Sequence, residues 1–341
     1  MIMSPAEPIP ETADTADRSR RQRRERLVLL ALLGAVAAGL VGLAAGTGWR
    51  ETLARIGALS GWQLLVLLAL SLANYLLRGL RWHVLARRLG LGTTLGQNLR
   101  HFLGGFAMSV TPGRVGELVR MRWIRRETGW DFARTAPLAL VDRASDLAAM
   151  AVLLGIGLAF SLRGIAGALP VALLALATAV VATRPRLLEL CADTGFRLAG
   201  RRWPRVFARI RAAARALACF SGPGMLGLAA LIGAAGWFAE AWAFHLLLGW
   251  MGADTGLASA TAIFVFATLA GGLTGAPGGL GGAEAAMIAL LALEGVPLET
   301  AVAATAVIRA STLWFAIAIG LALFPLAERR SRQVRDALEG N

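Results

Sequence analysis

Two arginines stand inside stretches of the chain that are otherwise largely apolar: Arg143 within 136–160, and Arg309 within 300–324. A guanidinium holds a phosphate through two parallel hydrogen bonds, which an ammonium point charge cannot match. An unpaired charge at the centre of a membrane-crossing helix costs at least about 2.5–3.5 kcal/mol, so such residues are candidates for function. The chemistry expected of Arg143 and Arg309 is therefore to clamp an anionic headgroup. The competing reading for Arg143 is pairing with Asp146 one turn on, or with Asp142 of the other repeat or another protomer. Arg309 has no acid within a helical turn on either side.

Carboxylates accompany these arginines. Glu117 and Glu284 fall in the first turns of short helical patterns that follow Pro112-Gly113 and Pro277-Gly278-Gly279. A carboxylate there suits the helix dipole; it can equally pair with an arginine when the site is empty, read a headgroup amine, or carry a proton. The backbone N–H groups of those helix starts offer an anion a second seat. Glu240 sits mid-span, and Asn74 lies 166 residues before it, so this polar pair is expected at the same cavity. His245 reads as an interior histidine, and Arg78 and Arg81 as anchors reaching the membrane surface.

The elements that must position these groups are membrane helices. Of 341 residues 57% are hydrophobic and 16% charged, which places the chain among multi-span membrane proteins. All 35 basic residues are arginine, so neither a Schiff-base lysine nor a phosphate-binding loop of the Walker type is available. The net charge of +14 arises in short loops beside apolar runs, where cytoplasmic retention explains it better than nucleic acid does. Cys191 and Cys219 lack metal or redox spacing, and no cofactor or metal is expected.

In chain order, residues 1–26 read as a disordered basic cytoplasmic tail and 27–55 as a first span. Residues 56–183 form a first repeat with an inner hairpin at 101–126. The apolar leg from Phe102 to Thr111 is too short to cross, since a helical span needs about 20 residues. It breaks at Pro112-Gly113 and resumes as a helix rich in charge, a pattern tolerated at membrane depth where backbone lines a cavity or is buried in protein. Residues 184–222 hold nine arginines among apolar residues and read as amphipathic helix on anionic inner-leaflet lipids. Residues 223–326 form a second repeat with an outer hairpin at 259–294, and 327–341 a cytoplasmic tail.

The repeat shows in the spacing. Pro112 and Pro277 are 165 residues apart, Glu117 and Glu284 167, Arg143 and Arg309 166. Arg143-Ala144-Ser145 also recurs as Arg309-Ala310-Ser311. Arginine placement puts both termini inside, so the repeats run in opposite senses. The expected fold is all-α and polytopic, with about six full spans and two re-entrant hairpins in an inverted repeat, the usual build of alternating-access carriers. GxxxG at Gly42–Gly46 permits a homo-oligomer.

TPGRVGELVR, the VDRASDL word, the PGGLGGAE turn and the final IRAS span together resemble the membrane part of the lysylphosphatidylglycerol synthase family, the flippase region of the multiple peptide resistance factor. The resemblance covers about residues 60–325. It implies a membrane unit that translocates lipid through two re-entrant hairpins. The full-length synthases add a soluble aminoacyl-transferase domain after this part; no such sequence follows Phe324, so the chain is not expected to make lysyl-phospholipid. Gly281-Gly282 stand before Ala283-Glu284 where the family leads one to expect a larger residue beside the acid, so the headgroup pocket is expected to differ.

The expected function is translocation of an anionic or phosphate-containing lipid, a phospholipid or polyprenyl-phosphate type, across the cell (inner) membrane. Two alternatives stay open. Asp142 and Asp146 share one helix face and could hold magnesium for a diphosphate-lipid transferase, although the second repeat has Thr312 at the position of Asp146. A non-transporting accessory protein of envelope lipid or glycan synthesis is the other.

Overall fold

The computed structural model describes residues 49–109, 111, 115–160, 168–200, 202–220 and 222–339. The expected tail 1–26, most of the expected first span, the Gly42–Gly46 motif and the Pro112-Gly113 break lie outside the described residues. Among the described residues the regular structure is all helical.

The first helices are α1 (Trp49–Gly57), α2 (Gly61–Arg88) and α3 (Leu95–Gly104), the last continued by a 3-10 turn Gly105–Met108. Then come α4 (Val115–Thr128), α5 (Phe132–Phe160), α6 (Ala168–Thr183), α7 (Pro185–Leu198) and α8 (Pro204–Ala216). The second half holds α9 (Pro223–Trp250), α10 (Leu257–Leu273), a 3-10 turn Pro277–Gly279, α11 (Gly282–Leu293) and α12 (Leu298–Arg309). A π turn, Ala310–Trp314, joins α12 to α13 (Phe315–Glu339).

Local chemistry sets several boundaries. At the start of α2 the Gln63 side chain accepts from the Ser60 N–H at 2.8 Å. Thr94 and Gln97 make the reciprocal box at α3, with Gln97 N–H on Thr94 Oγ1 at 3.2 Å and Thr94 N–H on Gln97 Oε1 at 2.8 Å. Pro223 opens α9 at a first-turn position where its missing N–H has no intrahelical partner to lose. The second span expected to begin near Ile56 instead begins after this break at Ser60.

Among the described residues four helical stretches are long and apolar enough to cross a membrane: Gly61–Arg88, Phe132–Phe160, Pro223–Trp250 and Leu298–Ala337. A further stretch, Leu169–Thr183 with Pro185–Leu198, passes as a pair but bends by 99° at its break. Large apolar side chains point outward along these helices: Leu65, Leu72 and Leu76 on α2, Ile156 and Phe160 on α5, Leu231 and Trp242 on α9. Such a belt is stable only against lipid or a partner. The molecule is a polytopic helical membrane protein.

The element order of 61–160 recurs in 223–339: a long helix, two short helical legs around a break, then another long helix. α2 and α9 are both 28 residues long and pack side by side. The short legs exchange partners between halves. α10 packs on α5, whereas α3, its 3-10 turn and α4 pack on α13. Each contact is made close by a glycine. A Cβ at Gly157 would lie 3.0 Å from the Ala258 carbonyl, and one at Gly320 would run into the Phe106–Ala107 backbone.

Helix lengths also set the register between halves. α2 and α9 begin 162 residues apart, and the helices after the breaks, α4 and α11, 167 apart, because the leg α10 is longer than α3. On this register Arg78, not Asn74, falls in line with Glu240. Asn74 falls in line with Gly236, where the missing side chain makes room for it: a Cβ there would lie 2.6 Å from Asn74 Oδ1.

Candidate functional site

The first half carries a buried ion-pair network where α2 meets α5. Residues i and i+3 on α2, Arg78 and Arg81, face residues i and i+4 on α5, Asp142 and Asp146, and both spacings keep the pair on one helix face. Arg81 donates to Asp142 Oδ1 from Nε at 2.9 Å and from Nη2 at 2.6 Å, and also to Asp146 Oδ1 at 2.8 Å. Arg78 donates to Asp146 Oδ2 at 2.8 Å. Trp237 of α9 adds its indole N–H to Asp146 Oδ1 at 3.1 Å, so a helix of the second half completes the shell. Arg81 is fully buried. Reading Arg78 and Arg81 as surface anchors is therefore corrected. Their stems point between helices, where the aspartates offset what burial of the charge costs.

Asp142 Oδ1 and both oxygens of Asp146 accordingly accept from guanidinium groups, which compete for these oxygens with the magnesium ion of the transferase alternative. Among the described residues no group of three or more metal-ligating side chains comes together.

Arg143 lies on the same turn of α5, and its chief partner is Glu117 in the first turn of α4, to which Nε donates. Its contact with Asp146, the sequence-local alternative, is longer at 3.4 Å. The second half repeats this motif. Arg309, at the end of α12, donates from Nε to Glu284 Oε1 of α11 at 2.5 Å. Its Nη2 donates to the Gly278 carbonyl at 2.8 Å. The partner that Arg309 lacks along its own helix thus comes from the neighbouring short leg.

The break in the second half is built from Pro277, which is buried, and from Gly278 and Gly279 at φ +62° and +68°. These left-handed angles favour glycine, and the turn they make aims the Gly278 carbonyl at Arg309. Glu284 also caps its helix, accepting from the Gly281 N–H at 2.7 Å. It therefore serves both roles, helix start and arginine partner. The short helices expected to follow Pro112-Gly113 and Pro277-Gly278-Gly279 begin at Val115 and Gly282.

Tyr75 and Glu240 stand between the two halves. The π turn after Arg309 spoils the regular backbone ladder and leaves carbonyls for other donors; the Tyr75 hydroxyl takes that of Thr312. Glu240 is buried, beside Asn74, and feels the charges of Arg78, Arg309 and Asp146. It thus lies within reach of both networks. His245, as an interior histidine, shares a hydrogen bond with the Thr255 carbonyl at 3.0 Å.

Three residues that sequence reasoning passed over belong to the same region: Tyr75, Trp237 and Arg120. Arg120, on α4 one turn after Glu117, is 2% exposed, and its guanidinium lies 4.2 Å from the Phe102 ring centre and 5.5 Å from that of Trp82. The one available signal was its spacing of three from Glu117.

Two peripheral clusters fasten α3 and α4. Glu127, near the end of α4, accepts from Gln97 at 3.1 Å and Arg100 at 2.9 Å and shares a hydrogen bond with His101 at 3.1 Å, all on α3. Burial pushes its pKa up, but His101 and Arg100 outweigh that and hold the carboxyl below its usual range. Glu328 of α13 accepts from Arg122 and Arg126 at 2.7 Å and from the Trp123 indole at 2.8 Å. These bonds give the segment after Pro325, read from sequence as a tail, a reason to remain helical.

Helices that bury Arg78, Arg81 and Arg120 together with Asp142, Asp146, Glu240 and Glu284 define the class: a polytopic membrane protein with charged side chains in its interior. The family described as Lysylphosphatidylglycerol synthase TM region matches residues 28–320, and the chain belongs to it. The chain is also similar to a UPF0104 membrane protein of Methanothermobacter thermautotrophicus (strain ATCC 29096 / DSM 1053 / JCM 10044 / NBRC 100330 / Delta H), with 34% identity over 89 residues. That match covers 26% of this chain and 26% of the relative, so the chain spans about a quarter of that protein.

Proposed function

We propose that this protein is a lipid translocator that moves an anionic or phosphate-containing lipid, a phospholipid or a polyprenyl-phosphate type, between membrane leaflets. In this reading it is not an enzyme. It lies in the cell (inner) membrane with both termini cytoplasmic and has about six spans, with 101–126 and 259–294 as re-entrant hairpins of an inverted repeat. The Arg-rich helices α7 and α8 rest on anionic inner-leaflet lipids.

One observation carries the reading: the same arginine–glutamate pair occurs in both halves, each joining a long helix to the first turn of a short one. Arg143–Glu117 and Arg309–Glu284 are contacts that an arriving phosphate can compete for, because a guanidinium binds phosphate as readily as carboxylate. Exchange of partners at one arginine frees the first turn of its short helix, and that helix start favours an anion. Tyr75 and Glu240 give each half a path by which to sense the other. A pair of half-sites loaded in turn is what alternating access requires.

The test is leaflet exchange of a fluorescent phosphatidylglycerol in liposomes containing the purified protein, read by quenching of the outer leaflet. Arg143→Ala or Arg309→Ala is expected to slow exchange, and the double variant to abolish it. Exchange at the wild-type rate in the double variant would sink the proposal.

A further inference from the structure

The two halves differ at one buried position. In the first, α4 carries Arg120 three residues after Glu117; in the second, α11 carries Met287 three residues after Glu284. Met287 is an ordinary apolar core residue, 1% exposed. Arg120 is equally buried, but among the described residues its Nε and Nη1 have no hydrogen-bond partner and it has no ion pair. The other arginines of this region are held by carboxylates: the buried Arg78 and Arg81 by Asp142 and Asp146, and the half-buried Arg143 by Glu117 and Arg309 by Glu284.

The Arg120 guanidinium lies instead over aromatic faces, 4.2 Å from Phe102, 5.5 Å from Trp82 and 5.7 Å from Phe106. Aromatic faces attract a cation and hold its plane fixed, but they accept none of its in-plane N–H groups. A guanidinium sandwiched in this way keeps its fork for an oxyanion. Gly105 makes the seat fit, since a side chain there would strike Arg120 Nε. The charges around Arg120 are Arg143, Asp142, Glu117 and Arg78. With the neighbouring Arg81 and Asp146, the first half therefore holds four guanidinium groups against three carboxylates.

From this we infer that Arg120 is the oxyanion seat of the first half-site, taking a phosphate group that also draws Arg143 away from Glu117, and that the second half-site has no such seat. The inference rests on the translocator reading for its cargo and adds a direction to the site: the phosphate is gripped by two arginines in the first half and by Arg309 alone in the second. The shared chemistry is a phosphate oxyanion, whether in a lipid headgroup or free in solution.

The test uses the full-length protein in an uncharged detergent and measures binding of dihexanoyl phosphatidylglycerol, inorganic phosphate and, as a phosphate-free control, dihexanoylglycerol. Wild type is expected to bind the phospholipid, and Arg120→Gln to bind it roughly ten- to hundredfold more weakly, the range for losing hydrogen bonds to a charged group. Arg120→Lys, which keeps the charge and loses the fork, is expected to fall between them and covers the case in which the glutamine variant does not fold. Met287→Leu is expected to bind as wild type does. Inorganic phosphate bound with the same dependence on Arg120 would identify a free anion as a ligand; binding of the phospholipid alone would identify the headgroup. Either supports the seat. Wild-type affinity in both Arg120 variants, binding of the phosphate-free control as tight as that of the phospholipid, or no binding of either phosphate probe to wild type would overturn it. Binding that depends on Arg120 without leaflet exchange leaves the seat standing and removes the translocator reading. Exchange with binding indifferent to Arg120 does the reverse.

Discussion

Where its long helices meet, the first half of the molecule adds a buried ion-pair network to its apolar packing, and among the described residues the second half shows the Arg309–Glu284 pair alone. At the meeting of α2 and α5, Arg78, Arg81, Asp142 and Asp146 are joined by hydrogen bonds. In the second half, Thr312 follows Arg309 at the spacing of Asp146 from Arg143, and its hydroxyl bonds back to the Ile308 carbonyl. Around it α9 to α12 contribute to an apolar core of alanine, leucine, isoleucine and phenylalanine that α2, α5 and α6 share. What the halves keep in common is the arginine–glutamate pair at the start of each short helix. The difference teaches that this pair is separable from the surrounding scaffold, because it persists on an ionic and on an apolar background.

Removing charge from the ionic half should break this contrast most severely. Arg81→Ala leaves Asp142 and Asp146 buried without their shared partner, and a loss of about 3–5 kcal/mol of stability is expected. Thermal unfolding in detergent would show it, and Arg81→Leu with Asp142→Leu, which leaves Asp146 to Arg78, is expected to recover part of the loss. In the apolar half, Arg309→Ala removes the bonds to Glu284 and Gly278; a smaller loss of about 1.5–3 kcal/mol is expected. Exchanging the pair as Arg309→Glu with Glu284→Arg should restore part of the stability but not the bond to the Gly278 carbonyl. Equal losses for Arg81→Ala and Arg309→Ala would remove the distinction between the halves.

The smallest effect is expected where Glu127 joins α4 to α3, and it sharpens the comparison by pH. The Glu127 carboxyl titrates below its usual value in the folded protein. The unfolded chain therefore takes up its proton first as pH falls. The contribution of Glu127 is complete above the ordinary glutamate pKa of about 4.3 and is lost as pH drops through the lower folded value. Melting temperature measured from pH 6 to pH 3, within the range of about 3–6 in which carboxylates titrate, should fall less steeply for Glu127→Gln than for wild type. Parallel slopes would show that this cluster does not tie α3 to α4.

Composition and hydropathy alone determined that the chain is helical and crosses a membrane, because backbone in lipid must satisfy its own hydrogen bonds and long apolar runs leave helices as the solution. The spacing of Arg143 and Arg309, and of Glu117 and Glu284, likewise pointed to the residues that pair in the same way in both halves. Which groups meet was decided by the tertiary structure. Arg78 and Arg81 have the types and positions of surface anchors until α5 supplies two aspartates. Arg309 finds its carboxylate on another helix, Trp237 reaches Asp146 across the boundary between halves, and Arg120 becomes a buried cation only when three aromatic rings close around it. Periodicity along one helix reports which face a residue shares; the identity of its partner depends on how helices pack, and that is set by side chains far apart in the chain.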